Sequence, residues 1–350
     1  MVIHKTERVT MKDVATIADV STQTVSRVVN DHPDVAPETR SRVQKVIAQV
    51  GYRPNFLARS LISQRSYTLG VVIAGLKLVG PLTLLSGIST AAEEAGYSLL
   101  LMELPSFDTD NIEPIFDGLL SRQVDGIIWA VPEVQDNRRW LHEISQNRNI
   151  PLVFMTMEPV EGVTVVSVNN YLGGRLAAAH LLEQGYKQIA HIAGPLDWWE
   201  SRQRMQGWRD VLTEAGFEEP DQHMVMGDWS PTSGAENVKR LLSDHPEIDS
   251  IFVANDQMSL GVFQVLHQAG IRVPGDIGVV GFDNIQDSAH YWPSLTTVQQ
   301  DQLTVGNIAV KELIANIDQQ NQGLEPISPN AILVDPILVV RDSSVRQSSK

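Results

Sequence analysis

From Tyr67 onward the sequence contains two successive series of short apolar segments. Within each series, segments with helical periodicity lie between the apolar ones. The first series predicts strands and helices, in alternation, over 69–74, 84–95, 99–102, 112–122, 126–130, 138–146 and 152–155. The second predicts them over 165–168, 174–184, 189–192, 202–215, 224–226, 234–243, 250–253, 259–269 and 278–281. Near-continuous apolar strands between amphipathic helices are typical of parallel sheets that are covered on both faces. The pattern therefore predicts an α/β domain with two doubly wound parallel-sheet subdomains.

Changes of rhythm along the chain set the expected boundaries. The α/β domain is expected to span 67–342, and the remaining segments to be an all-α headpiece over 1–51 and a linker over 52–66. Within the domain, a first subdomain would take 67–166 and 302–329, and a second 167–298 and 330–342. A further helix is predicted over 305–317 and one strand over 331–340. Residues 343–350 are expected to form a loose polar tail.

Residues 10–50 have the pattern of three short helices. Thr10 and Ser21 are placed to cap the first and second helices, and Pro37 suits the first turn of the third. The dipeptide Asp19-Val20 is too short for anything but a turn between the first two. This arrangement predicts a helix-turn-helix headpiece.

The second helix of this motif has a polar outer face near its start. In a helix-turn-helix that face meets base edges in the major groove, where Gln can pair with adenine and Arg with guanine. The side chains concerned are Thr22, Gln23, Ser26 and Arg27. A generic three-helix bundle with a polar face is the alternative, but the caps, the turn and the polar positions together favour DNA binding.

Charge is distributed unevenly along the chain. The whole sequence has a formal net charge of −15, yet residues 1–65 have ten basic and six acidic side chains, a net charge of +4. The remainder therefore carries −19. Because phosphate binding needs positive charge only on the touching surface, this asymmetry fits a DNA-binding headpiece on an acidic body.

Several classes of protein are disfavoured by what the sequence lacks. There is no cysteine, and the nine histidines show no ligand spacing, so neither a metal site nor a cofactor is expected. No phosphate-binding loop or nucleophile elbow occurs, so no enzyme is expected. No apolar run is long enough for a membrane span, and the N-terminus lacks the apolar core of a secretory signal. A cytoplasmic protein, associated with the bacterial nucleoid when bound to DNA, is therefore expected.

The motifs of the headpiece and linker resemble those of the lactose/galactose repressor (LacI/GalR) family of transcriptional regulators. Residues 9–15 and 20–30 resemble the family's headpiece, and 52–55 with Ala58 and Leu61 resemble its hinge helix. The resemblance continues to about Val340. It includes four segments similar to the family's effector-binding and dimerisation domain, which has a periplasmic-binding-protein-like fold: 194–195, 253–258, 280–283 and 293–298.

The resemblance implies a set of DNA contacts in the headpiece and the hinge. Leu61, with Ala58 beside it, would open a base step from the minor groove, and the hinge helix would fold only in a dimer on DNA. The implied contacts are Thr10, Thr22, Gln23, Ser26, Arg27, Asn30, Asn55, Ala58 and Leu61.

Polar residues follow several predicted strands of the α/β domain, among them Asn255 and Asp283. Parallel sheets bind ligands at the carboxyl ends of their strands, and Trp198 and Trp229 fall in neighbouring segments. Aromatic faces beside groups that donate and accept hydrogen bonds suit a sugar ring. With the resemblance, the expected effector contacts are Leu78, Pro81, Thr156, Asp197, Trp198, Arg202, Trp229, Asn255, Asp283 and Gln300.

Two of these positions depart from the pattern of a galactoside-binding member of the family. Thr156 stands where that member has an effector-binding aspartate, and Trp198 where it has a small residue. A plain galactoside is therefore in doubt, and a β-linked glucoside or another oligosaccharide is equally compatible.

The expected function is repression of carbohydrate-utilisation genes. A homodimer would bind a palindromic operator in double-stranded DNA, and a glycoside or oligosaccharide between the two lobes would release it. A dimer is expected because no heptad segment follows Val340. A corepressor-type regulator that responds to a purine or another metabolite is the alternative, and a sugar-binding protein without a DNA role is a further one.

Overall fold

The computed structural model describes residues 9–29, 32–52, 65–109, 111–141, 150–325 and 327–346. The chain divides into two compact units, 1–66 and 67–350. Four of the expected DNA contacts lie outside the described residues: Asn30, Asn55, Ala58 and Leu61.

The described residues of the first unit form three helices around a small apolar core. They are α1 Met11–Ile17, α2 Thr22–Val29 and α3 Pro37–Val50. Each helix contributes one apolar stripe to this core, which is made mainly of small side chains that let the helices approach closely. Its most buried members are Val14, Ala15, Ala18, Val25, Val28, Val43 and Val46.

The caps and the turn that the sequence predicts in this unit are confirmed. The backbone N–H of Asp13 donates to Thr10 Oγ1 at 3.3 Å, and that of Thr10 donates to Asp13 Oδ2 at 2.8 Å. The backbone N–H of Thr24 donates to Ser21 Oγ at 3.0 Å. Between the helices, Asp19 adopts a left-handed φ of 50°, a conformation in which aspartate is several-fold enriched.

The second unit contains two lobes, each built on one sheet. In the N-lobe the order of strands is β11-β5-β4-β3-β1-β2, all parallel. Helices on both faces cover this sheet. The elements of the first half are β1 Thr68–Ala74, α4 Val79–Glu94, β2 Ser98–Leu104, α5 Glu113–Leu120, β3 Gly126–Ala130, β4 Leu152–Met155 and β5 Val165–Val168.

The C-lobe repeats this topology in the order β12-β10-β9-β8-β6-β7, with only β12 antiparallel. Its helices are α6 Asn170–Glu183, α7 Trp199–Glu214, α8 Pro231–Asp244 and α9 Asp256–Gln268. Its strands are β6 Ile189–Ala193, β7 Met224–Met226, β8 Ser250–Val253, β9 Gly278–Asp283, β10 Thr296–Gln299 and β12 Ile337–Val339. The remaining elements, α10 Gln302–Asn321 and β11 Ala331–Val334, return to the N-lobe. The predicted fold class is thus confirmed.

Three described segments cross between the lobes: one after β5, one after β10 and one between β11 and β12. The first and third are tied together because Asn169 Nδ2 donates to Asp335 Oδ1 at 2.9 Å. Among the described residues, no helix is both long and apolar enough to cross a bilayer.

The end of the chain differs from the sequence prediction. The strand predicted over 331–340 is two strands in different sheets, because Pro336 lies where the chain passes from one lobe to the other. As a result β11 belongs to the N-lobe, although the sequence assigns 330–342 to the second subdomain. The strand β5, Val165–Val168, also lies in the N-lobe sheet, so the predicted boundary after residue 166 falls within this strand. The tail expected from residue 343 begins later, since Ser343 is fully buried and its Oγ donates to the carbonyl of Val279 at 2.6 Å.

Most helices of the α/β domain begin three to five residues earlier than their apolar periodicity predicts. In α6, α8 and α9 the cause is polar capping, because Asn169, Ser230 and Asn255 accept backbone N–H groups at the starts of these helices. Polar first turns therefore belong to helices that the apolar pattern detects only later. Most of the predicted helix 138–146 lies outside the described residues.

Candidate effector cleft and DNA-binding surface

A cleft lies between the lobes, at the carboxyl ends of strands from both sheets. Its position is where open parallel sheets bind ligands, at the point where the order of strands reverses. Eight of the ten expected effector contacts line it: Leu78, Pro81, Thr156, Trp198, Trp229, Asn255, Asp283 and Gln300.

Arg204, on α7, is the fixed cation of the cleft. Its Nε donates to Asn170 Oδ1 at 2.8 Å and its Nη1 donates to the carbonyl of Ala254 at 2.6 Å. Its guanidinium carbon lies 3.8 Å from the ring centroid of Phe282. Burial lowers the pKa of Arg204, and the charge of Asp283 opposes that shift. The guanidinium is thus held on several sides before any ligand binds.

Carboxyl groups surround this cation. Asp283 Oδ1 is 3.9 Å from Arg204 Nη1 and accepts a hydrogen bond of 2.5 Å from Gln300 Nε2. Burial raises the pKa of Asp283, and it raises the pKa of Glu200 to about 7. Behind them, burial and the charge of Asp283 raise the pKa of Asp256. Such groups can accept hydrogen bonds from hydroxyls, and in their protonated form they can also donate.

Two tryptophans form the aromatic wall. The ring centroids of Trp198 and Trp229 are 5.7 Å apart with an interplanar angle of 71°, and Phe107 packs edge-on against Trp198 at 4.8 Å. The indole of Trp229 lies directly on Gly194, where a Cβ atom would come within 2.1 Å of the ring. Asn255 Nδ2 also donates to the carbonyl of Trp229 at 3.1 Å. The glycine of the 194–195 motif is therefore required for the close approach of this ring.

Three buried polar atoms of the cleft have no hydrogen-bond partner among the described residues: Thr156 Oγ1, Trp229 Nε1 and Gln302 Oε1. Buried polar groups in proteins are nearly always hydrogen-bonded, so these atoms are candidate ligand contacts. The N-lobe otherwise presents an apolar wall, made of Leu78, Val79, Gly80, Pro81, Leu84, Ala130 and Pro132.

A second cavity, called the outer cavity below, adjoins the cleft. Leu78, Trp198 and Trp229 line both, so these side chains form a shared wall. The ionisable residues of the outer cavity are mostly acidic: Lys77, Glu103, Asp108, Asp197 and Asp228. Asp197, expected in the main cleft, lies here instead, and its buried Oδ1 has no partner among the described residues.

Arg202, also expected to contact the effector, is not among the residues that line the cleft. Its Nη2 donates to Glu133 Oε1 at 3.2 Å and its Nη1 donates to the carbonyl of Asp197 at 3.0 Å. Since Glu133 belongs to the N-lobe, this ion pair joins the lobes outside the cleft. Arg204, two positions further along α7, takes the place expected for Arg202, because it faces the buried side of the helix.

Sequence reasoning thus missed Arg204, Glu200 and Gln302. A usable signal existed for Arg204, because it lies at helical spacing before Gly207 and Trp208 on the buried face of α7. The helix was predicted to begin at residue 202, so its first turn and the face of that turn were not recognised.

The headpiece presents its expected reading face to solvent. Thr22, Gln23 and Arg27 are exposed on α2, and Ser26 is half-buried. Thr10 is exposed as well, but its hydroxyl donates to Asp13 Oδ2 at 2.7 Å and so serves the cap of α1. The arrangement gives polar side chains at the start of the second helix of a helix-turn-helix, where base edges are contacted.

A helix-turn-helix unit and a two-lobed ligand-binding domain define a DNA-binding transcriptional regulator. Residues 10–55 match the family described as "Bacterial regulatory proteins, lacI family". Residues 66–330 match "Periplasmic binding proteins and sugar binding domain of LacI family". The chain belongs to the LacI family: it is a DNA-binding transcriptional repressor with an effector-binding domain, and not an enzyme.

Two curated relatives are similar over nearly the full length. The ribose operon repressor of Escherichia coli K12 is 34% identical over 337 residues, which is 96% of this chain and 99% of that protein. The HTH-type transcriptional repressor PurR of Glaesserella parasuis is also 34% identical, over 96% of this chain and 98% of that protein.

Solved structures agree in fold. The lac repressor dimer bound to operator and the anti-inducer ONPF has a TM-score of 0.83 at 32% identity, over 97% of this chain and 100% of that one. The complex of the transcriptional regulator CelR with cellobiose has a TM-score of 0.70 at 31% identity, over 96% and 100%. The lactose operon repressor of Escherichia coli K12, which the motifs were expected to resemble most, is 32% identical over 95% of this chain, compared with 34% for the ribose operon repressor.

Proposed function

We propose that this repressor controls carbohydrate-utilisation genes, and that a neutral glycoside or oligosaccharide in the interlobe cleft releases it from a palindromic operator. One observation carries the proposal. The indoles of Trp198 and Trp229 stand beside a fixed donor, Arg204, and a fixed acceptor, Asp283. Sugar rings offer apolar C–H faces for such rings and hydroxyls for such polar groups.

The balance of charge favours an uncharged ligand. Among the described residues that line the cleft, the charged side chains are those of Glu200, Asp283 and Arg204. The described charged residues of the outer cavity are Lys77 and four acidic residues. An anionic ligand such as a sugar phosphate would be repelled from both, since like charges in a poorly solvated site are costly.

The two adjoining cavities support a ligand longer than one sugar ring. Trp198 and Trp229 border both, so a second ring could lie across them toward the acidic groups of the outer cavity. Hydroxyls of that ring would find acceptors in Asp197 and Asp228. The cellobiose named in the CelR complex is a disaccharide, which is in keeping with this size.

Isothermal titration calorimetry tests the choice of ligand. Titration with neutral monosaccharides, β-linked disaccharides and sugar phosphates should show the tightest binding for a disaccharide and none for a phosphate. If only monosaccharides bind, the outer cavity has no part in recognition. If only anionic compounds bind, the electrostatic argument is wrong.

For the headpiece we propose that Thr22, Gln23 and Arg27 read bases, with Ser26 beside them. Arg27→Ala should lose about 1–3 kcal/mol of operator affinity and little on random DNA, because a bidentate contact to guanine is specific. Arg42→Ala, which removes an exposed cation from α3, is the matched control and should not change the ratio of specific to random binding. Fluorescence anisotropy at fixed salt measures both. Equal losses on the two DNAs for Arg27→Ala would mean that Arg27 contacts phosphate.

The proposed assembly is a homodimer, because two reading helices must reach two half-sites. Large apolar side chains are exposed on both lobes of the protein, including Leu82, Leu101, Met226 and Leu260. The solved lac repressor is a dimer on its operator. Light scattering after size exclusion should give twice the chain mass. The hinge contacts Asn55, Ala58 and Leu61, and Asn30 at the end of the reading face, remain predictions.

A corepressor that responds to a purine is the second candidate. The observation that favours it is the PurR similarity, which equals that of the ribose repressor at 34%. This alternative predicts that a purine base tightens operator binding, whereas the sugar proposal predicts that a sugar weakens it.

A further inference from the structure

Two histidines and a glutamate meet at the end of the C-lobe sheet that is opposite the effector cleft. His223 ends the short 3-10 helix Pro220–His223 just before β7, and His245 directly follows α8. Glu247 lies in the loop before β8. The cleft lies at the carboxyl ends of the C-lobe strands. The three residues lie at the opposite, amino-terminal ends, before β7 and β8. No sequence spacing indicates the cluster, because 22 positions separate the histidines.

We propose that His223, His245 and Glu247 form a binding site for a divalent transition-metal ion of the zinc type. Glu247 Oε1 lies 3.3 Å from His223 Nε2 and 3.4 Å from His245 Nδ1. Ligands about 2.0–2.1 Å from a tetrahedral zinc ion are about 3.3 Å apart, so both distances fit the edges of such a site.

Without an ion the three side chains pair as His–Glu contacts, and the same distances are compatible with a shared metal ion. An N–H···O hydrogen bond has a typical length of about 2.9–3.0 Å, and both contacts are longer. One atom from each of the three residues can be chosen so that all lie within 4.8 Å of one another. The two imidazole rings pack edge to face, with their centroids 4.7 Å apart.

Hydrogen bonds hold the backbone around the cluster in place. Less conformational entropy would therefore be lost when the three side chains bind an ion. The N–H of His245 donates to the carbonyl of Leu241 at 2.8 Å, and the N–H of Ile248 donates to the carbonyl of His245 at 3.2 Å. Ile248 is itself buried. Two imidazoles and one carboxylate are a donor set suited to zinc, with a fourth position open to solvent. The bound ion would tie the edge strand β7 to the α8–β8 loop.

Calorimetric titration of the untagged full-length protein with ZnCl₂ tests the site, and Co²⁺ absorption reports its coordination number. One ion per chain should bind, and His223→Ala with His245→Ala should weaken binding by at least about tenfold. His267→Ala removes an exposed histidine at the end of α9 and should leave zinc binding unchanged. Glu247→Gln removes the carboxylate ligand in a nearly isosteric way and should also weaken it.

Thermal unfolding and effector binding separate a lost site from a lost fold. Zinc should raise the unfolding midpoint of the wild-type protein and of the His267 variant, but not that of the double variant. Because all three residues are partly exposed, the double variant should keep its circular dichroism spectrum and its cleft ligand. Stoichiometric zinc binding that survives in the double variant, or no zinc binding by the wild type, would overturn the proposal.

Discussion

The two lobes share one order of strands, but they line the cleft between them with different kinds of side chain. The N-lobe contributes an apolar wall, in which Leu78, Pro81 and Leu84 dominate. The C-lobe contributes the charged side chains, centred on Arg204 and Asp283, whereas the polar atoms of the N-lobe come from Thr156 and Gln302. The topology of the sheets therefore determines the position of the binding cleft. A few side chains at the strand ends determine whether each lobe offers apolar contacts or polar groups to a ligand.

This difference suggests an order of events. The polar groups of the C-lobe are held in place by contacts within that lobe, such as those of Arg204 with Asn170 and Ala254. We expect a ligand to be oriented by these groups first and its apolar faces then to be covered by the N-lobe wall. Coupling between effector binding and DNA binding is typically worth about 1–3 kcal/mol.

Two arginines on one helix give the largest expected contrast. Arg204→Ala should abolish effector binding and lower the free energy of unfolding by about 3–5 kcal/mol, because buried carboxylates lose the cation that pairs with them in the cleft. Arg202→Ala removes a partly exposed ion pair and should cost at most about 1 kcal/mol, with effector binding retained. Urea denaturation and calorimetry measure both. Loss of binding in the Arg202 variant alone would reverse the assignment.

The raised pKa of Glu200 predicts a pH dependence of stability. The unfolded chain releases this proton near pH 4.5 and the folded protein near pH 7. The free energy of unfolding should therefore fall as pH rises through this window, by up to about 3 kcal/mol, and then level off. Asp283 and Asp256, whose pKa values are also raised by burial, act in the same direction.

Glu200→Gln should remove the contribution of Glu200, so the stability of this variant relative to wild type should grow from pH 5 to pH 8. Glu113→Gln, on the exposed start of α5, is the control and should parallel the wild type. Urea denaturation at several pH values supplies the data. A constant difference between the Glu200 variant and the wild type would mean that this carboxyl is not buried as described.

The smallest effect is expected on the N-lobe side. Leu78→Ser removes apolar surface from the wall that both cavities share, and should weaken sugar binding about fivefold, or about 1 kcal/mol. Leu324→Ser changes an exposed leucine outside the cleft and should leave affinity unchanged. If Leu78→Ser abolished binding as completely as Arg204→Ala, the proposed distinction between an apolar N-lobe wall and polar C-lobe contacts would be wrong.

Much of this architecture could be predicted from the sequence because it depends on local periodicity. Alternating apolar and amphipathic segments indicated both sheets, and caps such as Thr10 and Ser21 indicated the headpiece. The start of α7 was missed because its first turn, Trp199 to Arg202, is dominated by aromatic and charged residues. For this reason the sequence predicted Arg202 as the cation of the cleft, whereas Arg204 lines it.

Other features depend on tertiary structure that no local pattern encodes. The exchange of β11 and β12 between sheets requires knowing where each strand pairs, and Pro336 alone does not show it. The approach of His223 to Glu247 depends on the turn after α8. Residues far apart in the chain meet there only once the C-lobe has folded.

The most direct test of the central claim is fluorescence anisotropy of the purified protein on DNA from its own upstream region, at fixed salt, with and without a panel of sugars. We expect tight binding that one neutral disaccharide or glycoside releases, and we expect the Arg204→Ala protein to bind DNA but no longer to respond. Operator binding that no sugar changes, or that a purine base is required to establish, would contradict it.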